Sequence, residues 1–382
     1  MENKKKIVII GANSFQNPLI LKAKALGYET HVFAWQDGSI GERTADHFYP
    51  ISIVERDVIL EKCREIQPDA VASIGSDLAM LTVNYVAGKL GLPCNSMECT
   101  EISTNKYAMR KAFRAAGVPV PGFYEADAET TAADLSGLKL PVIVKPTDRS
   151  GSRGITKVEE WGQLSEALQA SVDNSFEKKA IVEEYLTGPE YSCECVSCRG
   201  KHHFLAVTKK YTTGEPHFIE TGHLEPAPLT DAQREAIQKA VFAGLDALKV
   251  ENGASHTEFK LEGESVRIIE IGARMGGDCI GSDLVELSTG YDFVGMVIDV
   301  AAGREPSFEK VREPKTAYIH FIFTKKDLEL LEKLKREIPE KIHFISELTE
   351  VREGTVTDSS TRFGYFILAF ESLTEAKEYV TL

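Results

Sequence analysis

Positive charge is what this sequence is short of. Its 44 Lys and Arg face 58 Asp and Glu, a net charge of −14. That balance argues against nucleic acid or an anionic membrane as the main partner, because both attract positive proteins. It says nothing against a small anionic ligand, which responds to local lysines. Long apolar runs are missing too: no segment has the length of a membrane span. "IVIIGANSF", behind "MENKKK", is too short and too soon broken by glycine to be a signal peptide, so a cytoplasmic protein is expected. Cysteine is scarce and odd in number, seven residues at scattered positions, which fits a reducing compartment rather than a disulfide framework. Cys193, Cys195 and Cys198 in "YSCECVSC" are the one cluster. Their alternation reads as a strand using cysteine as a small apolar residue, and no fourth ligand lies at a zinc-ribbon spacing.

What is present alternates. "KKIVII" reads as a strand, Gly11 to Asn13 as a turn, and "PLILKAKALG" as a helix ending at Gly27. "ETHVF" and "DAVASIG" continue as strands, followed by the helical "DLAMLTVNYVAGKLG". Such alternation predicts a parallel sheet with covering helices, a Rossmann-like domain over residues 1–100. "IGANSF" lacks two of the three glycines of a dinucleotide fingerprint and is not read as a cofactor site. "NKYAMRKAFRAAG" is a helix closed by "VPVPGF", whose prolines enforce extended backbone. Strands ending in charge and glycine-rich loops follow. After "AAGREP" come the strand "KTAYIHFIF", a charged helix near 325–336 and a final β-rich pair.

Charged strand ends carry the chemistry. Lys145 in "PVIVKPTDRSGSRGI" follows an apolar strand and precedes a loop with Ser150, Gly151, Ser152, Arg153 and Gly154. Small residues let backbone N–H groups approach a phosphate, and the lysine supplies matching charge. It precedes the glycines, so this is not a Walker A loop. In "IVEEYLTGPEYS" a strand ends on Glu183 and Glu184. These are either solvated charge or acceptors for an exocyclic amine and a ribose, with the Tyr185–Leu186 backbone on a base edge. "ASHTEFKLEGESVRIIEIGAR" reads as two antiparallel strands joined by "LEGES". That pairing brings Glu258 and Glu270 onto neighbouring strands, where two carboxylates suit a hard cation and would otherwise repel. Gly272, Arg274, Gly276 and Gly277 then crowd one short loop. A plain turn needs only the glycines; a site for a metal and an anion uses all of these groups.

In order and spacing these elements resemble the ATP-grasp superfamily over nearly the whole chain. The resemblance implies an α/β and α+β architecture: a Rossmann-like pre-grasp domain at 1–100 and an ATP-grasp region at 101–305. The latter divides into a central subdomain near 101–180 and a nucleotide and metal core near 181–305, and a C-terminal lobe at 306–382 completes the grasp domain. It implies ATP with Mg²⁺, or Mn²⁺ in its place. Lys106 and Lys145 then meet the nucleotide phosphates, and the loop 149–154, with Ser150, Ser152 and Gly154, closes over them. Glu183, Glu184 and Leu186 contact the adenine edge, Glu190 the ribose, and Glu258 and Glu270 the metal. Arg274 lies by the anionic intermediate and, with Lys145, is expected to act in catalysis. Gly276 and Gly277 present N–H groups to the substrate carboxylate, and His223, in the facing loop "HFIETGHLEPAPL", contacts substrate or phosphate.

One residue departs from the family pattern. The second metal strand often reads Glu-x-Asn, whereas Gly272 holds the third position here. The segment around Arg274 looks more like the amino-acid and dipeptide ligases than biotin carboxylase. The expected activity is therefore a carboxylate–amine ligase that activates a small acid, an amino acid by preference, as an acyl phosphate. The rival reading is a purine-pathway enzyme acting on a ribonucleotide or bicarbonate. Small molecules are the expected partners, nucleic acid and membrane are not, and a homodimer is compatible with the sequence.

Overall fold

The computed structural model describes residues 4–151, 153–215 and 218–381. Three sheets organise them. The first is parallel, with β1 (Lys6–Ile10), β2 (Glu29–Phe33), β3 (His47–Tyr49) and β4 (Ala70–Ala72) in the order β3-β2-β1-β4. Ile7 to Ile10 are fully buried, as a strand covered on both faces requires. Helices Arg56–Ile66 and Asp77–Leu90 cover one face. The other is covered by helix Asn17–Ala25 and, from much later in the chain, Phe293–Ala301. The first sheet thus shares a core with residues beyond 280.

The second sheet contains β5 (Phe123–Ala126), β6 (Val142–Pro146), β7 (Thr156–Val158) and β8 (Ala180–Glu184), in the antiparallel order β5-β8-β6-β7. Helix Leu164–Asn174 packs on it through Leu164, Ala167, Leu168 and Val172.

The third sheet has eight strands, β9 (Glu190–Cys198), β10 (Lys201–Thr212), β11 (Glu220–Glu225), β12 (Gly253–Glu262), β13 (Ser265–Gly272), β14 (Thr316–Phe321), β15 (Ile342–Ile345) and β16 (Tyr365–Phe370). Their order is β13-β12-β9-β10-β11-β14-β16-β15. The last three strands come from the region after 305 and extend this sheet rather than building one of their own. The "LEGES" turn joins β12 and β13 as expected. The facing loop does not hold as read: Glu220 to Glu225 pair in β11 between β10 and β14, because Gly222 allows close approach to Tyr318 and the Ile319 carbonyl. Cys193 and Cys195 are fully buried in the core under β9, and all seven cysteines are free.

Candidate active site

The period of two along each strand sorts the third sheet into an apolar face and a polar one. Tyr191, Cys193, Phe259, Ile268 and Ile271 face the core beneath helix Asp231–Ala247. Ser192 and Glu194 of β9 take the opposite face, with His256, Glu258 and Lys260 of β12. Register brings Glu258 opposite both Ser192 and Glu270, His256 opposite Glu194 and Gly272, and Lys260 opposite Glu190. The two expected metal carboxylates are therefore direct cross-strand neighbours.

Cations from three elements converge on these acids. Lys210 of β10 pairs with Glu258 and lies 3.1 Å from Glu190 and 3.5 Å from Glu220. Burial would lower the Lys210 pKa, but the surrounding carboxylates hold it well above the ordinary lysine value. Glu258 is likewise held well below the usual carboxylate range, mainly by Lys210 working against burial. His256 pairs with buried Glu194, whose charge outweighs burial and raises the imidazole to about 9. Lys106 Nζ lies 3.0 Å from Glu270 and donates to the Arg149 carbonyl at 2.7 Å, tying the sheet to the start of the 149–154 loop.

Helix Lys106–Ala115 supplies a second cation. Asn105 caps its start, accepting from the Ala108 N–H, and the spacing of four puts Arg110 on the same side as Lys106. Arg110 donates to Glu183 and to the Ile269 carbonyl. Lys145 of β6 pairs with the other Glu183 oxygen at 2.6 Å. Burial alone would raise the Glu183 carboxyl, but these two cations hold it at about 2. Glu183 is thus an internal anchor for Lys145 and Arg110, with both oxygens engaged, rather than a free acceptor on an adenine edge. The Glu184 carboxylate accepts from the Gly122 and Lys139 N–H groups at 3.2 and 3.3 Å, and the residue stays on the wall of the cleft between the second and third sheets.

Between the second and third sheets lies an open cleft of about 790 Å³. Lys145, Ile155, Leu186, Phe218, Lys210 and Glu270 are among its walls, so its lining combines charged and apolar side chains. Glu190 borders it, bonded to Lys210 and to Lys260 at 3.0 Å. Ser150 and Gly154 are described, with Gly154 left-handed at φ 65° and its carbonyl accepting from Ser171; Ser152 lies outside the described residues.

The loop after β13 answers to the first sheet. Arg274 donates to both oxygens of Asp77, at 2.9 and 3.2 Å. Ser76 caps helix Asp77–Leu90 and so fixes Asp77 at its first turn. Burial would raise the Asp77 carboxyl, but Arg274 lowers it. A Cβ at Gly272 would stand 3.0 Å from the Arg274 guanidinium carbon and 3.1 Å from an Asp77 oxygen. The missing side chain at 272 is therefore what lets this pair lie against β13.

Gly276 does not offer its N–H as expected, since it donates to Glu194 at 2.9 Å. Gly277 borders open space: a Cβ there would meet nothing within 4 Å. Asp278 takes two hydrogen bonds from Arg362, brought in from the segment before β16, and Arg362 lies over the Phe321 ring at 3.6 Å. His223 is buried in β11, its Nε2 3.5 Å from Asp278, and burial lowers its pKa.

Lys210, Arg110, Asp77, His256, Glu194 and Arg362 were not anticipated. Two had a signal: Arg110 follows Lys106 by four, and His256 alternates with Glu258. The others depend on pairings that no local pattern reveals.

A family model of the ATP-grasp domain matches residues 138–283, the span from before Lys145 to just past Arg274. Residues 138–283 therefore form an ATP-grasp domain. The chain is similar over its whole length to a relative of known structure, the L-amino acid ligase from Bacillus licheniformis, at 25% identity, with 99% and 96% of the two chains covered and a TM-score of 0.82. Alanine–anticapsin ligase from Bacillus subtilis is 28% identical over 66% of this chain and 58% of its own. N5-carboxyaminoimidazole synthetase from Staphylococcus aureus, solved as its ADP complex, shares the ATP-grasp fold at 17% identity, covering 99% and 96% of the chains, with a TM-score of 0.77. The matched part spans only 51% and 58% of the first curated relatives. Among the described residues, no helix is long and apolar enough to cross a membrane.

Proposed function

We propose that the protein is an ATP- and Mg²⁺-dependent carboxylate–amine ligase that activates a small acid, an amino acid by preference, as an acyl phosphate and joins it to an amine. The observation that carries this reading is the cross-strand pair Glu258–Glu270 on the wall of a cleft that Lys145 and Lys210 also line. ATP enters the cleft with its base near Leu186, Ile155 and Phe218, and its phosphates toward the lysines. Arg110 Nη1, buried without a hydrogen-bond partner among the described residues, is a donor that bound nucleotide can satisfy.

The donor set fits a hard divalent cation. Glu258 and Glu270 offer carboxylate oxygens, and Ser192 Oγ beside Glu258 is a further oxygen with no partner among the described residues. When bound, Mg²⁺ neutralises phosphate charge and keeps the transferring group in line. Lys106 and Lys210, now paired with these carboxylates, are then free to turn toward phosphate oxygens. The acid's oxygen attacks the γ-phosphorus and ADP leaves. The amine then adds to the acyl carbon, and phosphate departs with the C–N bond made. To hold the oxyanion as this happens, Arg274 must turn its planar fork from Asp77 to the substrate, where it gives two donors to one group.

Kinship with alanine–anticapsin ligase and the L-amino acid ligase supports an amino acid as the acid. The test is phosphate and ADP release with ATP, Mg²⁺ and pairs of amino acids, with products weighed by mass spectrometry. A parallel arm supplies an amino-ribonucleotide with bicarbonate. Turnover in that arm alone would replace the amino-acid reading with the purine-pathway one, and ATP-independent behaviour in both would end the ligase reading.

A further inference from the structure

The outer edge of the first sheet holds a cluster that the ligase chemistry does not use. Glu29 and His31 stand two apart in β2 and so share a face. His47 in β3 is the register partner of His31, and the two imidazoles stack at 4.6 Å. His31 Nε2 lies 2.9 Å and His47 Nε2 3.4 Å from the same oxygen of Glu29. All three donor atoms fall within 4.8 Å of one another, the one such convergence of His, Cys, Asp or Glu among the described residues.

We propose that Glu29, His31 and His47 form a binding site for a borderline divalent transition metal, with zinc the best-fitting ion. Two imidazole nitrogens and one carboxylate oxygen suit Zn²⁺, Ni²⁺ or Cu²⁺, whereas Mg²⁺ prefers oxygen alone. His31 is only 5% exposed, and its Nδ1 is 2.9 Å from the Tyr49 hydroxyl. A partner on one ring nitrogen is what orients a ligating histidine and leaves the other nitrogen for the metal. The ion takes the place of the proton now shared between His31 Nε2 and Glu29. His47, half exposed on a three-residue edge strand, is free to rotate out of the stack and complete the third bond. Three protein ligands leave a fourth position to water, and the bound ion fastens β3 to β2.

A simple ion-paired edge has the same residues but no use for a metal, and titration separates the two. Zn²⁺ is added to the full chain by calorimetry, with excess Mg²⁺ present to occupy the carboxylates of the cleft. One ion per chain is expected, and His47→Ala and Glu29→Gln should each weaken it by at least ~10-fold. In the unaltered chain the imidazole resonances of both His31 and His47 should shift on zinc addition, a readout independent of how well either variant folds. Affinity in the variants equal to that of the unaltered chain, or resonances that stay in place, overturns the site.

Discussion

Replacing Glu225 with glutamine removes one ionisable group from the interior while keeping its shape. Glu225 ends β11, is fully buried, and its oxygens receive the hydroxyls of Thr208 and Ser288. Burial raises its carboxyl from 4.5 to about 7, nearby Glu194 pushes the same way, and His256 opposes it. Because the folded pKa lies above the unfolded one, the folded protein binds the extra proton between these values. The resulting stability is fully present below about pH 4.5 and is lost as pH rises through about 7. At about 1.4 kcal/mol per unit, the shift corresponds to roughly 3 kcal/mol across the window. Glu225→Gln cannot ionise and should escape this loss. Urea unfolding of both proteins in steps from pH 5 to pH 8 would follow it, with the variant gaining on the parent by about 3 kcal/mol at the upper end. Parallel curves would refute the reasoning, since they would mean that Glu225 is already charged or already solvated in the folded state.

Glu270→Gln should abolish ATP-dependent turnover while the far-ultraviolet spectrum stays unchanged; undiminished ADP formation would remove Glu270 from the metal site. Lys145→Ala should weaken binding of an ATP analogue, and calorimetry finding the same affinity would leave Lys145 as a partner of Glu183 and nothing more. Arg274→Lys keeps the charge but loses the fork, so ligation should slow by about a hundred- to a thousand-fold, roughly 3–4 kcal/mol. Arg274 and Asp77 lie outside the walls of the nucleotide cleft, so ATP-analogue affinity should hold in that variant. A common fall in rate and affinity would instead make Arg274 a nucleotide residue.

Periodicity and strand ends make part of this protein legible from its residues. "IVII" specifies a buried parallel strand because both of its faces are apolar. Alternation in "HTEFK" and the turn "LEGES" specify the hairpin whose register makes Glu258 and Glu270 neighbours. The place of Lys145 and of the 149–154 loop follows from an apolar run meeting glycines.

Which charges meet is settled by how the elements pack. Glu183 looks like a ligand acceptor in "IVEEYL" and proves to be clamped by Arg110 and Lys145, the former from a helix 73 residues away. Gly276 looks like free backbone, yet its N–H belongs to Glu194, 82 residues earlier. Gly272 reads as a gap in a metal motif until Asp77 and Arg274 are seen filling the space beside it. The physical reason is common to all three. A buried ion must find a counter-ion, and the partner is set by which strands and helices pack together, a long-range outcome that the sequence around either residue does not carry.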